Sequence, residues 1–101
     1  MAVNHVVYFK FTDDATLEQV AAHMDAFAAL GTSIPGIIGY SAGKTFPVEY
    51  EKTADYDCAH VVAYESEQAL EDYFFHPQHQ AFIAQFKHIW KDVAVVNAQI
   101  D

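Results

Sequence analysis

Apolar residues open the chain in two interleaved phases. Val3, His5, Val7, Phe9 and Phe11 hold one phase, and Asn4, Val6, Tyr8 and Lys10 hold the other. A period of two predicts a strand over 3–11, and apolar side chains in both phases at its centre predict cover on both faces. Asp13-Asp14-Ala15-Thr16 then breaks the pattern, and Thr16 with Gln19 three residues on has the form of a capping box. The period changes to 3.6 at Leu17, Val20, Ala21, Met24, Phe27 and Ala28, which predicts an amphipathic helix stopped by Gly31. His23 falls on the polar side of that stripe and is expected at the surface.

Ile34-Pro35-Gly36 leads into a second predicted strand over about 37–43, and residues 44–55, with Pro47 and several charges, read as a surface loop. A third strand follows over 57–65, with Cys58, His60, Val62 and Tyr64 on one face and Ala59, Val61 and Ala63 on the other. Ser66 can cap a helix over 67–75 whose stripe is Ala69, Leu70, Tyr73 and Phe74. Pro77 separates it from a second helix, expected to end near Trp90, in which His79, Phe82, Ile83 and Phe86 share one face. Val93 to Val96 predicts a last strand.

The order β-α-β-β-α-α-β predicts one α+β domain over residues 1–101, with a ferredoxin-like four-stranded antiparallel sheet, helices on one face and a split final helix. Helices on one face leave the second apolar face of the sheet bare. A second copy is the simplest cover, which predicts a homodimer through the sheet face with a closed, barrel-like interior.

Composition narrows the function. Apolar residues make up 52% of the 101, which excludes a disordered chain. A formal charge of −9 repels phosphate backbones and anionic lipid, so neither nucleic acid nor membrane is an expected partner. No apolar run reaches the ~18–20 residues of a membrane span, and the first residues read as strand rather than leader, so a cytoplasmic protein is expected. Cys58 is the single cysteine and can form no internal disulfide.

The chemical interest lies in the histidines. His88 is off the main stripe of its helix, and His76, before Pro77, suits a turn cap. By strand parity and helix stripe, His5, His60 and His79 face a common space between sheet and helices, with Val7, Phe9, Met24, Phe27, Tyr73, Phe82 and Trp90. A helix start and an apolar wall both favour neutral imidazole at His79, the form a general base requires. A phenol at Tyr73 could hold the oxyanion of an enolate. Each histidine is equally well explained as a core residue bonded to backbone or phenol. His5, Cys58, His60 and His79 are competent metal donors, but no HxxxH or CxxC spacing accompanies them, and no metal or cofactor is expected.

The opening strand 3–11, Ile34-Pro35-Gly36, Tyr64-Glu65-Ser66 with Leu70 and Tyr73, then His76-Pro77-Gln78-His79, Phe82 and Trp90 together resemble the stress-responsive A/B barrel (Dabb) family of the dimeric α+β barrel group. The resemblance implies the fold and dimer already expected. It also implies chemistry like that of the family's polyketide cyclases, an aldol-type ring closure without metal or cofactor. Their important histidine and tyrosine correspond to His79 and Tyr73, and a first-strand histidine to His5. Phe9, Met24, Phe27 and Trp90 fall at pocket positions. His60 replaces an aliphatic pocket residue, Cys58 a histidine and Met24 an aromatic, and the loop over 44–56 is one residue longer.

Three functions fit: a cofactor-free cyclase or lyase using His79, Tyr73 and His5 on a keto-compound, a non-catalytic stress-response dimer that binds a small apolar ligand, and an oxygenase of a sister barrel family. The last has no haem-ligand motif to support it.

Overall fold

The computed structural model describes residues 1–100. In chain order the elements are β1 (Ala2–Phe11), α1 (Leu17–Ser33), β2 (Ile37–Lys44), β3 (Cys58–Tyr64), α2 (Glu67–Phe75), α3 (Pro77–Phe86), a 3₁₀ turn (Lys87–Ile89) and β4 (Trp90–Ile100). The sheet order is β2-β3-β1-β4, antiparallel throughout. This is the expected ferredoxin-like α+β arrangement. Among the described residues, no helix is long and apolar enough to cross a membrane.

β1 is central because its residues suit cover on both faces. It pairs with β3 from Val3↔Tyr64 to Phe9↔Cys58 and with β4 from Ala2↔Ile100 to Phe11↔Trp90. The register sets Val3, His5, Val7, Phe9 and Phe11 on the same face as Cys58, His60, Val62 and Tyr64, under the helices. On the opposite face Val6, Tyr8, Ala59, Val61 and Ala63 are only half-buried, and Val96 of β4 is 55% exposed. The helices cover one face and leave the other open.

Helix ends follow local chemistry. Thr16 Oγ1 accepts from the Gln19 amide, while the Gln19 side chain accepts from the Thr16 amide, completing the capping box. Ser66 Oγ accepts from the Ala69 amide to start α2. His76 ends α2 and caps α3, its Nδ1 accepting from the Gln78 amide. Pro77 at the start of α3 has no N–H to lose, so the chain turns there without an orphaned donor.

Three expectations are corrected. His23 is not on a polar surface but fully buried, and the buried stripe of α1 is His23, Phe27 and Leu30, while Leu17 is 89% exposed. The reason is tertiary: Phe9, Phe11, Phe82 and Phe86 pack round the His23 ring, and the Trp90 indole donates to its Nε2 at 2.9 Å. Next, the last helix ends at Phe86 and Trp90 begins a strand of 11 residues, nearly three times the expected length. The apolar signal of β4 is confined to its middle, but β1 offers backbone partners along its whole length. Finally, Gly31 does not stop α1, which runs two residues further. Its lack of a side chain admits the Tyr40 ring of β2, whose Cγ and Cδ1 would lie 2.7 Å from a Cβ at this position.

That contact generates a test. Alanine favours a helix over glycine by about 1 kcal/mol, yet Gly31→Ala is expected to destabilise by roughly 1–3 kcal/mol in urea unfolding, because the Tyr40 ring must move. A gain in stability would show that the ring gives way freely.

Candidate active site

The break between α2 and α3 builds the site. Pro77 cannot donate to the Tyr73 carbonyl, which accepts from the His76 amide instead. The Gln78 amide turns to the His76 ring, leaving the Phe74 carbonyl without its helical partner. Two side chains from α3 take it up: His79 Nδ1 at 2.9 Å and Gln80 Nε2 at 2.6 Å. A carbonyl only accepts, so Nδ1 of His79 carries the proton. Nε2 keeps its lone pair free.

His79 stacks on Tyr73 with ring centroids 4.4 Å apart, tilted by 40°. The contact is ring on ring, with no hydrogen bond between the phenol and the imidazole. The buried hydroxyls of Tyr73 and Tyr64 make no hydrogen bond of good geometry, but their rings are 5.3 Å apart and the two phenols act on each other. Burial pushes both phenols well above the ordinary tyrosine range, so each holds its proton as a donor at neutral pH. On β1, His5 Nδ1 meets Asn97 Oδ1 of β4 at 2.5 Å. With that oxygen as acceptor, His5 also keeps Nε2 free. Burial lowers the pKa of His5, against an opposing contribution from Asn97. Burial likewise lowers His79; the Phe74 carbonyl opposes this and the nearby His5 adds to it.

His5, Val7, Phe9, Phe27, Tyr73, His79, Phe82 and Trp90 line one cavity of about 150 Å³, joined by Phe74, Ile83, Val93 and Val95. Eight residues expected from parity and stripe are thus brought together. Two are not. His60 is fully buried behind the wall, stacked on Phe27 at 3.9 Å with its Nδ1 2.8 Å from the Tyr40 hydroxyl. Met24 lines a separate cleft with Phe11, Val20, Lys44 and Cys58. Parity gave the correct face for both, but Phe27 and Phe9 stand between them and the cavity. Sequence reasoning missed Asn97 and Phe74. Asn97 lies beyond the apolar centre of β4, and Phe74 acts through its backbone, which no side-chain pattern reports.

Behind the wall, burial lowers His60 to about 4, and burial with the neighbouring His60 lowers His23 to about 4. Burial raises the Cys58 thiol to about 11, which keeps it protonated and poorly nucleophilic. Among the described residues, no group of three or more His, Cys, Asp or Glu side chains is placed to hold a metal ion.

The fold and this site define a ferredoxin-like α+β protein with a small apolar cavity walled by imidazoles and a phenol. The sequence pattern of the stress-responsive A/B barrel (Dabb) domain matches residues 3–100, and the chain belongs to that family. It is similar to olivetolic acid cyclase of Cannabis sativa, 27% identical over 94% of this chain and 93% of the relative. A dimeric ferredoxin-like protein of unknown function from Thermobifida fusca superposes with a TM-score of 0.84, at 26% identity over 99% of this chain and 92% of that one. A hydroxynitrile lyase from Passiflora edulis shares the fold, with a TM-score of 0.88 and 19% identity over 99% and 94% of the two chains.

The two deep histidines make stability depend on pH. Folded, they stay neutral down to about 4, whereas in the unfolded chain they protonate near the ordinary imidazole value of about 6.5. Between these values the unfolded state binds more protons, so stability falls as pH falls. Each histidine is expected to contribute about 1.4 kcal/mol per pH unit across this window. Urea unfolding between pH 7.5 and 4.5 checks this; a flat midpoint from 6.5 to 4.5 would contradict it.

Proposed function

We propose that this protein is a cofactor-free acid/base enzyme, a cyclase or lyase acting on a small keto-compound and working as a homodimer. One observation carries the catalytic reading: the imidazole of His79, with Nε2 free, stacks on the protonated phenol of Tyr73, and both residues line one cavity. In the proposed step, Nε2 of His79 removes a proton from the carbon next to a carbonyl. The C–H electron pair becomes the enolate double bond, and the carbonyl electrons move onto oxygen. The Tyr73 hydroxyl donates to that oxyanion, and His5 orients the bound carbonyl. The enolate then adds to a second carbonyl carbon, closing a ring, as that carbonyl's π electrons move onto its oxygen and the oxygen takes the proton from His79; otherwise the enolate carbon recovers that proton. The name of the cyclase relative supports this reading.

Proton abstraction can be followed without knowing the natural substrate, by the exchange of α-protons of small methyl ketones in D₂O. Catalysed exchange should rise with pH through a value below about 6.5 and level off near neutrality, because only unprotonated His79 is a base. His79→Ala should abolish it. Tyr73→Phe should lower it about 10²-fold while changing stability by no more than roughly 1 kcal/mol, since the lost hydroxyl makes no hydrogen bond of good geometry. Ligand binding without exchange would favour the alternative, a non-catalytic stress-response binder.

The dimer reading rests on the open sheet face. Tyr8, Ala59 and Val61 form the floor of a groove of about 500 Å³, and Phe46 of the β2–β3 connection, 76% exposed, stands at its side. A second copy applied there would bury Val6, Tyr8, Ala59 and Val61. Sedimentation equilibrium at micromolar concentration should give a dimer, and Val61→Asp should dissociate or unfold it, because an unpaired charge would be buried. A folded wild-type monomer would overturn the dimer.

A further inference from the structure

We infer that the cavity selects an uncharged carbonyl compound of on the order of ten non-hydrogen atoms and turns away ligands that carry a carboxylate or a phosphate. This rests on the proposed site and names the substrate class it takes.

Size sets the first limit. The cavity measures about 150 Å³, a volume that elsewhere holds a benzene molecule. It cannot extend inward. Phe9 and Phe27 form its inner wall, and behind them His23 and His60 are fully buried, so a long tail has no space to enter. Phe82 and Trp90 close the same side, Trp90 held by its bond to His23.

Charge sets the second. The chain has five basic residues, all lysine, and none lines the cavity. Lys10 is paired with Asp55 and Asp57, and together with Lys91 it borders a different groove. Lys44 lies at the end of β2 by the Met24 cleft, Lys52 in the β2–β3 connection and Lys87 in the exposed turn after α3. The two helices over the cavity add no fixed cation: α2 carries Glu67, Glu71 and Asp72, and α3 carries no Lys, Arg, Asp or Glu, while burial lowers the pKa of its His79, and of His5 across the cavity, so both rings are neutral at pH 7.5. Glu67 is tied by Gln99 to the strand that bears Val93 and Val95 at the cavity. An anion would therefore enter an apolar space with no fixed counter-charge, and would lose its hydration with only neutral imidazoles and a phenol to replace it. An uncharged carbonyl meets what the cavity offers, apolar rings on most sides with the neutral imidazoles and the Tyr73 phenol in its wall.

Acetophenone and benzoate test this as a matched pair. They have the same ring and the same number of non-hydrogen atoms, and differ by a methyl group against a charged oxygen. Trp90 is the chain's single tryptophan and lines the cavity, so its indole N–H resonance reports occupancy without ambiguity. Acetophenone should shift this resonance saturably, with benzoate binding at least about tenfold more weakly at pH 7.5. Val95→Lys, at a position 48% exposed, should narrow that gap by strengthening benzoate binding. Equal or tighter binding of benzoate, or a gap unmoved by the lysine, would overturn charge selection while leaving the cavity as a binding site. If neither compound moves the resonance, the binding site itself fails, and this inference with it.

Discussion

The double pairing of β1 is the constraint on which the rest depends. A strand bonded on both sides cannot slip by one residue without turning every side chain to the opposite face. Its register puts His5, Val7 and Phe9 under the helices and Val6 and Tyr8 on the open side. The same register sets Asn97 opposite His5, so the proton arrangement of a candidate catalytic histidine follows from backbone pairing. The cavity floor is thus as rigid as the sheet itself.

The roof depends on a helix interruption. Pro77 removes one helical hydrogen bond, and the neighbouring carbonyls must find other partners. That need is what orients His79. A continuous helix would have satisfied the Phe74 carbonyl with its own backbone and left the imidazole free to rotate. The cost falls elsewhere: two phenol hydroxyls in the core make no hydrogen bond of good geometry. Such donors weaken a fold, and they are what a site holding an oxyanion would retain.

A second polar layer lies behind the cavity. His23 with Trp90 and His60 with Tyr40 fill space that aliphatic side chains could occupy, and they bring hydrogen bonds into an otherwise aromatic core. Because desolvation disfavours their charged forms, they act as neutral packing residues near pH 7. Their place behind Phe9 and Phe27 limits the depth of the cavity, so these core residues bear on ligand size without lining the site.

The order of elements, the two-faced strands, the capping residues and the break at Pro77 were legible in the chain, because each depends on residues within a few positions of one another. Strand parity and helix stripe also placed His5, Tyr73 and His79 on faces that meet. The burial of His23 was not legible: its partners Phe82, Phe86 and Trp90 lie some sixty residues away, and on its own helix it sits among positions that read as polar. The length of β4 was hidden for a similar reason, since an edge strand takes its extent from its neighbour's backbone as much as from its own side chains. Nor could periodicity separate residues that line the cavity from those one layer behind it, as Met24 and His60 show. Local pattern decides which face a side chain is on; only the packing of large aromatic rings between elements decides how deep the empty space goes and which atoms reach it.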